Sequence, residues 1–309
     1  MIPTIRRPEL VRSVVESVLA DPATVQVVVV VDGVDAATSA ALAPIAAADD
    51  RLLVTATGAG GPALERGQRA REHGVRLATG KVVLALDDDV VPTGRLVSGH
   101  ADWHAGADDL VVQGYMPVLG DRRRLSGPAR LYARGYERTC ARFTADPSHV
   151  LRSLWGGNVS ACRDNWLAAL DRPAAGGAYH GDLELGLRFG QAGLRAIFDP
   201  RLRADHWYTR SLGQLVDDAR GSAVGQLQLH EAYPAIVDHP RRAVPATRAA
   251  AALAIVTRPA ASWAVARTAL QGLSRAASGL HLDRIEDRLV RALWRLSFER
   301  AVHQEGSRR

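Results

Sequence analysis

The chain holds 309 residues, 47% hydrophobic and 23% charged, enough apolar material for a buried core; disordered, collagen-like and disulfide-dense classes are excluded. Its formal charge of +6 is unevenly spread: residues 241–309 carry 13 arginines against 5 acidic residues, leaving 26 basic against 28 acidic before them. A groove that tracks nucleic acid needs a basic body, so the expectation is no nucleic acid partner.

In chain order, Met1-Ile2-Pro3-Thr4 reads as the end of a first strand whose upstream half is missing, or as an ordinary disordered start. Pro8 to Leu19 spaces Leu10, Val14, Val15 and Val18 as a helix, with Pro8 suited to its first turn. Val25 to Val31 is a continuous β-branched run ending at Asp32-Gly33, the pattern of a parallel strand buried on both faces. A helix over 37–47, a strand over 52–55 and a helix over 62–78 follow. The strand 81–86 then runs into Asp87-Asp88-Asp89. This alternation predicts an α/β fold, a doubly wound, mostly parallel sheet flanked by helices, with ligands at the carboxyl ends of the strands. Asp32 and the triplet 87–89 both stand at such ends.

From about 114 to 153 the sequence reads as irregular and arginine-rich, with Arg122, Arg123 and Arg124 in a row. Polar and glycine-rich segments then bracket a second functional stretch, Trp155 to His206. After Ser211 the chain reads as helices with breaks near 234–245 and at Gly279. The expected division is a main domain over 1–210 and a basic helical C-terminal extension over 211–309. Cys140 and Cys162 lack metal-ligand spacing and are expected as reduced thiols. The longest apolar stretch of the tail, Ala249 to Val256, is far short of the ~20 residues that span a bilayer. With no signal sequence at the start, the expected location is the cytoplasm, peripheral at most at the inner face of the cell membrane.

Three successive carboxylates repel one another, and a hard cation such as Mg2+ or Mn2+ offsets that repulsion while keeping open positions for phosphate. A solvated acidic turn is the alternative. Trp155-Gly156-Gly157-Asn158 lets backbone approach a ligand closely, or is simply a turn. Asp182 and Glu184 open a short amphipathic helix, where helix-dipole stabilisation alone would account for them. Asp199-Pro200 and His206 close the set.

In this order the segments resemble the inverting family 2 glycosyltransferases of the GT-A fold, over roughly residues 2–235. The elements that carry the resemblance are Pro3-Thr4-x-x-Arg7, Asp32-Gly33, Ala70-Arg71 with Gly74, Ala78-Thr79-Gly80, Asp87–Asp89 and Gly156-Gly157-Asn158. Asp182-x-Glu184-Leu185-x-x-Arg188, Asp199-Pro200 and His206 complete it.

The resemblance implies a sugar moved from a nucleotide-diphosphate donor (UDP-, GDP- or dTDP-linked) to an acceptor hydroxyl, with Mn2+ or Mg2+ as cofactor. Pro3, Thr4 and Asp32 match positions that hold base and ribose, and Arg71 lies on the nucleotide side. Asp87 and Asp89 match the outer acids of the motif that holds metal and diphosphate, and His206 a position that completes the metal site. Arg7, Asp88, Gly157 and Asn158 join the donor-binding set. Asp182 matches the proposed catalytic base, with Glu184, Arg188 and Arg210 as secondary candidates.

Three departures stand out: Gly181-Asp182 where the family has Glu-Asp, Arg71-Glu72 where it has Arg-Asn, and the short first strand. The rivals are a dehydrogenase binding NAD(P) through Gly58-x-Gly60-x-x-Ala63, a metal-dependent phosphohydrolase, and a non-enzymatic scaffold on a membrane surface. For the scaffold, Trp263, Arg267, Trp294 and Arg295 would meet anionic lipid, unless those indoles only pack the tail.

Overall fold

The computed structural model describes residues 1–58, 63–121, 124–175, 179–240, 252–253 and 255–306. Ala59 to Pro62 of the rival dinucleotide fingerprint, Arg122, Arg123, Pro245 and half of Ala249 to Val256 lie outside these residues. The chain divides into two compact units. One comprises Met1–Leu119, Tyr136–Ala174 and Gly181–Trp207; the other comprises Gly120–Gly135, Ala175–His180 and Tyr208–Arg309.

The first unit alternates as its pattern predicts: β1 (Ile2–Thr4), α1 (Pro8–Leu19), β2 (Val27–Val31), α2 (Ala36–Ala48), β3 (Leu52–Ala56), α3 (Ala63–Leu77) and β4 (Val82–Leu86). All five valines of β2 are buried, as a strand covered on both faces requires. Then follow β5 (Val90–Pro92), α4 (Leu96–His104), β6 (Leu110–Tyr115), α5 (Gly127–Ala145), a 3-10 turn (Pro147–Arg152), β7 (Asn158–Cys162), α6 (Arg163–Leu170), α7 (Gly181–Gln191) and β8 (Arg195–His206).

Strands β1, β2 and β3 pair in parallel. A second sheet runs β4-β7-β6-β8-β5, with β6 and β8 parallel and the other neighbours antiparallel. The two sheets join at Met1, whose nitrogen donates to the Leu84 carbonyl (2.8 Å) and whose carbonyl accepts from Leu86 N–H (3.0 Å). From β1 the chain winds outward through β2 and β3, then returns to β4 on the other side. The crevice beyond the carboxyl ends of β1 and β4 is thus a topological switch point, where open α/β sheets bind ligands.

The stretch expected to be irregular contains the 19-residue helix α5. Its buried positions in the first unit are Tyr136, Thr139, Cys140 and Phe143, so the helical period is written partly in polar residues and is weak as an apolar stripe. The core of this unit gathers Phe143, Trp166 and Phe189 against Val83, Val111 and Val159. Trp166 Nε1–H donates to the Val83 carbonyl (3.1 Å) and so satisfies its one polar atom inside that core.

The second unit is helical: α8 (Leu212–Ala232), α9 (Ala260–Gly279) and α10 (Asp283–Gly306). Leu215, Val290 and Leu293 form a core that takes in Trp263, Leu270 and Trp294. Trp294 also stacks on Phe298 at 5.1 Å, and Arg295 pairs with Glu299 at 2.7 Å. The two indoles of the scaffold reading are therefore turned into the helical core. No helix among the described residues is long and apolar enough to cross a membrane.

Candidate functional site

The aliphatic strand β4 delivers the three acids into the crevice, where Arg71 meets the first and Arg7 the other two. Asp87 accepts from Arg71 Nη2 at 3.0 Å. Asp88, 7% exposed, accepts from the Thr4 hydroxyl and from Arg7 Nη1, both at 2.8 Å. Asp89 accepts from the same Arg7 nitrogen at 2.5 Å and faces His206 Nε2 at 3.5 Å. Thr4 and Arg7 thus bring the end of β1 and the loop after it onto the acids. Asp32, at the end of β2, receives the Thr57 hydroxyl (3.3 Å), and its N–H donates to the Thr4 carbonyl (2.8 Å). Pro3 lies in β1 opposite Val30.

The electrostatics of the triplet are uneven. Burial raises the Asp87 carboxyl above its ordinary range, against the pull of Arg71. Burial likewise pushes Asp88 up to about 6, with Arg7 and Thr4 opposing. For Asp89 burial also works upward, but the His206 hydrogen bond and the charges of His206 and Arg7 outweigh it and hold the group below its usual value.

Next to the triplet lies the segment Gly156-Gly157, where side chains would not fit. A Cβ on Gly157 would stand 2.6 Å from Asp87 Oδ2, and one on Gly156 2.9 Å from the Arg71 guanidinium carbon. A side chain at either position would displace the Asp87 carboxylate or the Arg71 guanidinium from the place it holds here. The Gly157 carbonyl accepts from Asp87 N–H (3.2 Å), and Gly156 N–H donates to Asp182 Oδ2 (3.3 Å). Asp182 stands in the first turn of α7, where its other oxygen accepts from Leu183 N–H (2.9 Å). The glycine pair so links the end of β4 to the start of α7.

Gly181, the first departure from the family pattern, faces Gln68 Oε1, 2.6 Å from where a Cβ would lie; the Gln68 amide fills the space beside it. Glu72, the second, turns to Arg76 one helical turn on (2.9 Å).

Other nominated residues lie elsewhere. Asn158 is fully buried, its side-chain oxygen on His100 Nε2 (2.9 Å) and its nitrogen donating to the Leu202 carbonyl (3.0 Å). Glu184 and Arg188 are 2% and 3% exposed and bond to each other at 2.6 Å, while Arg188 also reaches the Ala169 carbonyl of α6. Such a buried i,i+4 pair fastens α7 from within. Arg210 belongs to the helical unit, where it bonds to Asp218 at 3.0 Å over the Tyr208 ring. Asp199 is clasped by Arg201, which lowers its carboxyl to about 2, and accepts from Trp103 Nε1–H at 3.0 Å.

Sequence reasoning passed over Gln113. Its oxygen accepts from Trp155 N–H (3.0 Å) and its nitrogen donates to the Asn158 carbonyl (2.9 Å), bracketing the glycine pair. The available signal was a glutamine directly after Leu-Val-Val in a buried strand.

Asp87 and Asp89 offer the carboxylate oxygens that Mg2+ or Mn2+ takes, and His206 adds an imidazole. Among the described residues, no three His, Cys, Asp or Glu side chains are arranged to enclose a metal by themselves. Mg2+-type sites commonly use one or two carboxylates and draw the rest from substrate phosphate and water, so the adjacent Asp89 and His206, with Asp87, fit such an open site.

Comparison with solved structures places this architecture. A mannosyltransferase from Pyrobaculum calidifontis, solved with GDP-Man and Mn2+, matches 100% of this chain and 86% of its own at 17% identity and a TM-score of 0.56, a GT-A fold. A mycobacterial protein matches over 74% of this chain and 72% of its own at 17% identity, with a TM-score of 0.49. No curated protein matches the sequence significantly. The sequence profile of glycosyl transferase family 2 matches residues 1–166, more than half of the chain. The chain therefore belongs to glycosyl transferase family 2 and is a glycosyltransferase.

Proposed function

We propose that this chain moves a sugar from a nucleotide-diphosphate donor to an acceptor hydroxyl in a single inverting displacement assisted by a divalent cation. The observation that carries the proposal is the glycine pair bonded on one side to Asp87 and on the other to Asp182, which sets a phosphate-side acid and a candidate base on one short backbone segment. Base and ribose would lie against Pro3, Thr4 and Asp32, and diphosphate beside Arg7 and Arg71.

In the reaction, Asp182 accepts the acceptor's hydroxyl proton as that oxygen bonds the anomeric carbon. The carbon–oxygen bond to the diphosphate breaks on the opposite face and its electron pair leaves with the nucleotide diphosphate. Mn2+ or Mg2+, held by Asp87, Asp89 and His206, would neutralise charge developing on that leaving group. Arg7 and Arg71 already stand among the acids and add positive charge to the diphosphate side. Orientation of donor and acceptor supplies much of the remaining acceleration.

A thermal-shift screen of UDP-, GDP- and dTDP-sugars with and without Mn2+, with NAD(H) as control, tests the donor class. One nucleotide sugar stabilises the protein only with metal, by about 2.7 kcal/mol at a hundredfold excess over Kd. Stabilisation by NAD(H) without metal would replace the proposal with a dehydrogenase, and silence from every sugar nucleotide would sink it.

The proposal extends to a peripheral contact of the helical unit with anionic lipid at a cytoplasmic membrane face. Leu253, Ile255, Val256, Val265, Leu273, Leu280, Leu282 and Ile285 are all exposed, eight of the thirteen large exposed hydrophobics among the described residues. Of the nearby acids, Glu286 and Asp287 are engaged by Arg130. Aliphatic groups in an arginine-rich stretch suit an anionic surface. Val265→Glu combined with Leu273→Glu is expected to abolish sedimentation with phosphatidylglycerol vesicles. Failure of the unaltered protein to sediment with them would end this part of the proposal.

A further inference from the structure

The buried histidines of α4 take no part in the chemistry above, yet they lead into its centre. His100 and His104 stand one turn apart, 1% and 2% exposed, and both point at Ser160 of β7, with ring nitrogens 2.8 Å from its hydroxyl oxygen. Three of the four ring nitrogens are engaged, two by Ser160 and one by Asn158.

Proton positions follow along the chain of bonds. Asn158 Nδ2 donates to the Leu202 carbonyl, so Asn158 Oδ1 needs a donor and His100 Nε2 carries the hydrogen. His100 Nδ1 is then an acceptor and takes the Ser160 hydroxyl hydrogen, leaving the Ser160 oxygen to accept from His104 Nε2–H. With His100 neutral, each donor has one acceptor. Burial supports that state by lowering His100 to about 4. These bonds hold His100, Ser160 and Asn158 in one arrangement, while His104 Nδ1 takes no part in them.

Asn158 is the last link before the glycine pair. It pairs with Leu86, the residue preceding Asp87. Among the described residues, the hydrogen bond that reaches Asp182 from another element comes from Gly156 N–H. Asp87, by contrast, is also held by Arg71.

We propose that His100 is a positioning residue: by gripping the Asn158 side chain from α4 it fixes the Gly156-Gly157 backbone and thereby sets Asp182 against Asp87. The inference rests on the transferase reading above.

The test compares His100→Leu, His100→Gln and Ser160→Ala with the unaltered full chain. Glutamine keeps one donor and one acceptor at its end, whereas leucine keeps neither. His100→Leu is expected to lower kcat roughly 30-fold, as misplacement of reacting groups by a fraction of an ångström does. The donor KM should move far less. His100→Gln should recover most of the lost kcat, and Ser160→Ala, the milder change, should fall between them. If His100→Leu does not fold, the Ser160→Ala and His100→Gln proteins carry the comparison.

Amide exchange gives a readout independent of turnover. In His100→Leu, or in Ser160→Ala if leucine prevents folding, a peptide spanning 155–160 should exchange about tenfold faster while β2 stays protected. Wild-type kcat in both His100→Leu and Ser160→Ala, or unchanged exchange at 155–160 in the folded variants, overturns the proposal. A kcat and melting temperature that fall together without recovery in His100→Gln overturn it as well. Absence of transfer by the unaltered protein would instead refute the transferase reading, and the exchange experiment would still decide whether His100 holds the segment.

Discussion

Asp182→Asn should abolish sugar transfer while donor binding survives. Asparagine has nearly the same shape, and one side-chain oxygen can still accept a backbone N–H, from Leu183 or from Gly156. The variant lacks a carboxylate to receive the acceptor's proton, and an amide is too weak a base to replace it. Loss of a positioned general base costs about 10²–10⁴-fold in kcat. Donor KM should stay within about threefold, because interactions made before the transition state are kept. Kinetics at saturating donor, with calorimetry of donor and Mn2+, separate these quantities. Glu184 offers no fallback, since its carboxylate is buried against Arg188 in the interior of α7. Normal turnover by Asp182→Asn would therefore remove the base assignment from this helix altogether.

Asp89→Ala should remove the metal-dependent part of donor binding. Asp89 lies between Arg7 and His206, so its loss deletes one proposed metal ligand and leaves two partners without their shared anion. Breaking a buried pair from one side costs ~3–5 kcal/mol. The donor-free protein should lose less than that, because the Arg7 side chain is 37% exposed and keeps Asp88. The pH dependence has a definite sign. The folded-state pKa of Asp89 lies below its ordinary value, so its contribution to stability is present above that ordinary value and is lost as pH falls through the lower one. The melting temperatures of wild type and Asp89→Ala should therefore converge in acid. Addition of Mn2+ with the nucleotide sugar should raise the melting temperature of wild type alone. An equal rise in Asp89→Ala would show that the ion, if bound, does not need this carboxylate.

The first half of the fold was legible because its signals are unmixed. Five valines in a row can hardly be anything but a strand buried on both faces, and Pro8 with Val14, Val15 and Val18 marks the start and the buried face of α1, where Val11 rather than Leu10 completes the buried set. The acids at the end of β4 stood out for the same reason, as charge following an aliphatic run. Beyond Leu86 the signals weaken. β5 is three residues long, and β8 carries Asp199-Pro200 in its middle, beside the register shift at Gly114/Tyr115. Nothing local in such strands states which neighbours they will take or in which direction.

The site shows the same division. Asp87, Asp88, Asp89 and the paired glycines could be nominated from sequence because a chemical cost or a steric permission marks them. Asn158 carries a polar label that serves the interior, and Glu184 with Arg188 looks like a charged helix face but is an internal tie. Gln113 and His100 do their holding through contacts that are distant in sequence, which no local pattern encodes.

Lys81 is the single lysine among 39 basic residues, exposed where it precedes β4 and paired with Asp108 at 2.9 Å. At the ~3.3 Å rise per residue of a strand, it stands about 20 Å from Asp87 at the other end. An amine-reactive dye therefore meets one side-chain target, clear of the acids and well within energy-transfer range of a fluorescent sugar nucleotide. The composition thus provides a fixed optical reference for watching the crevice fill.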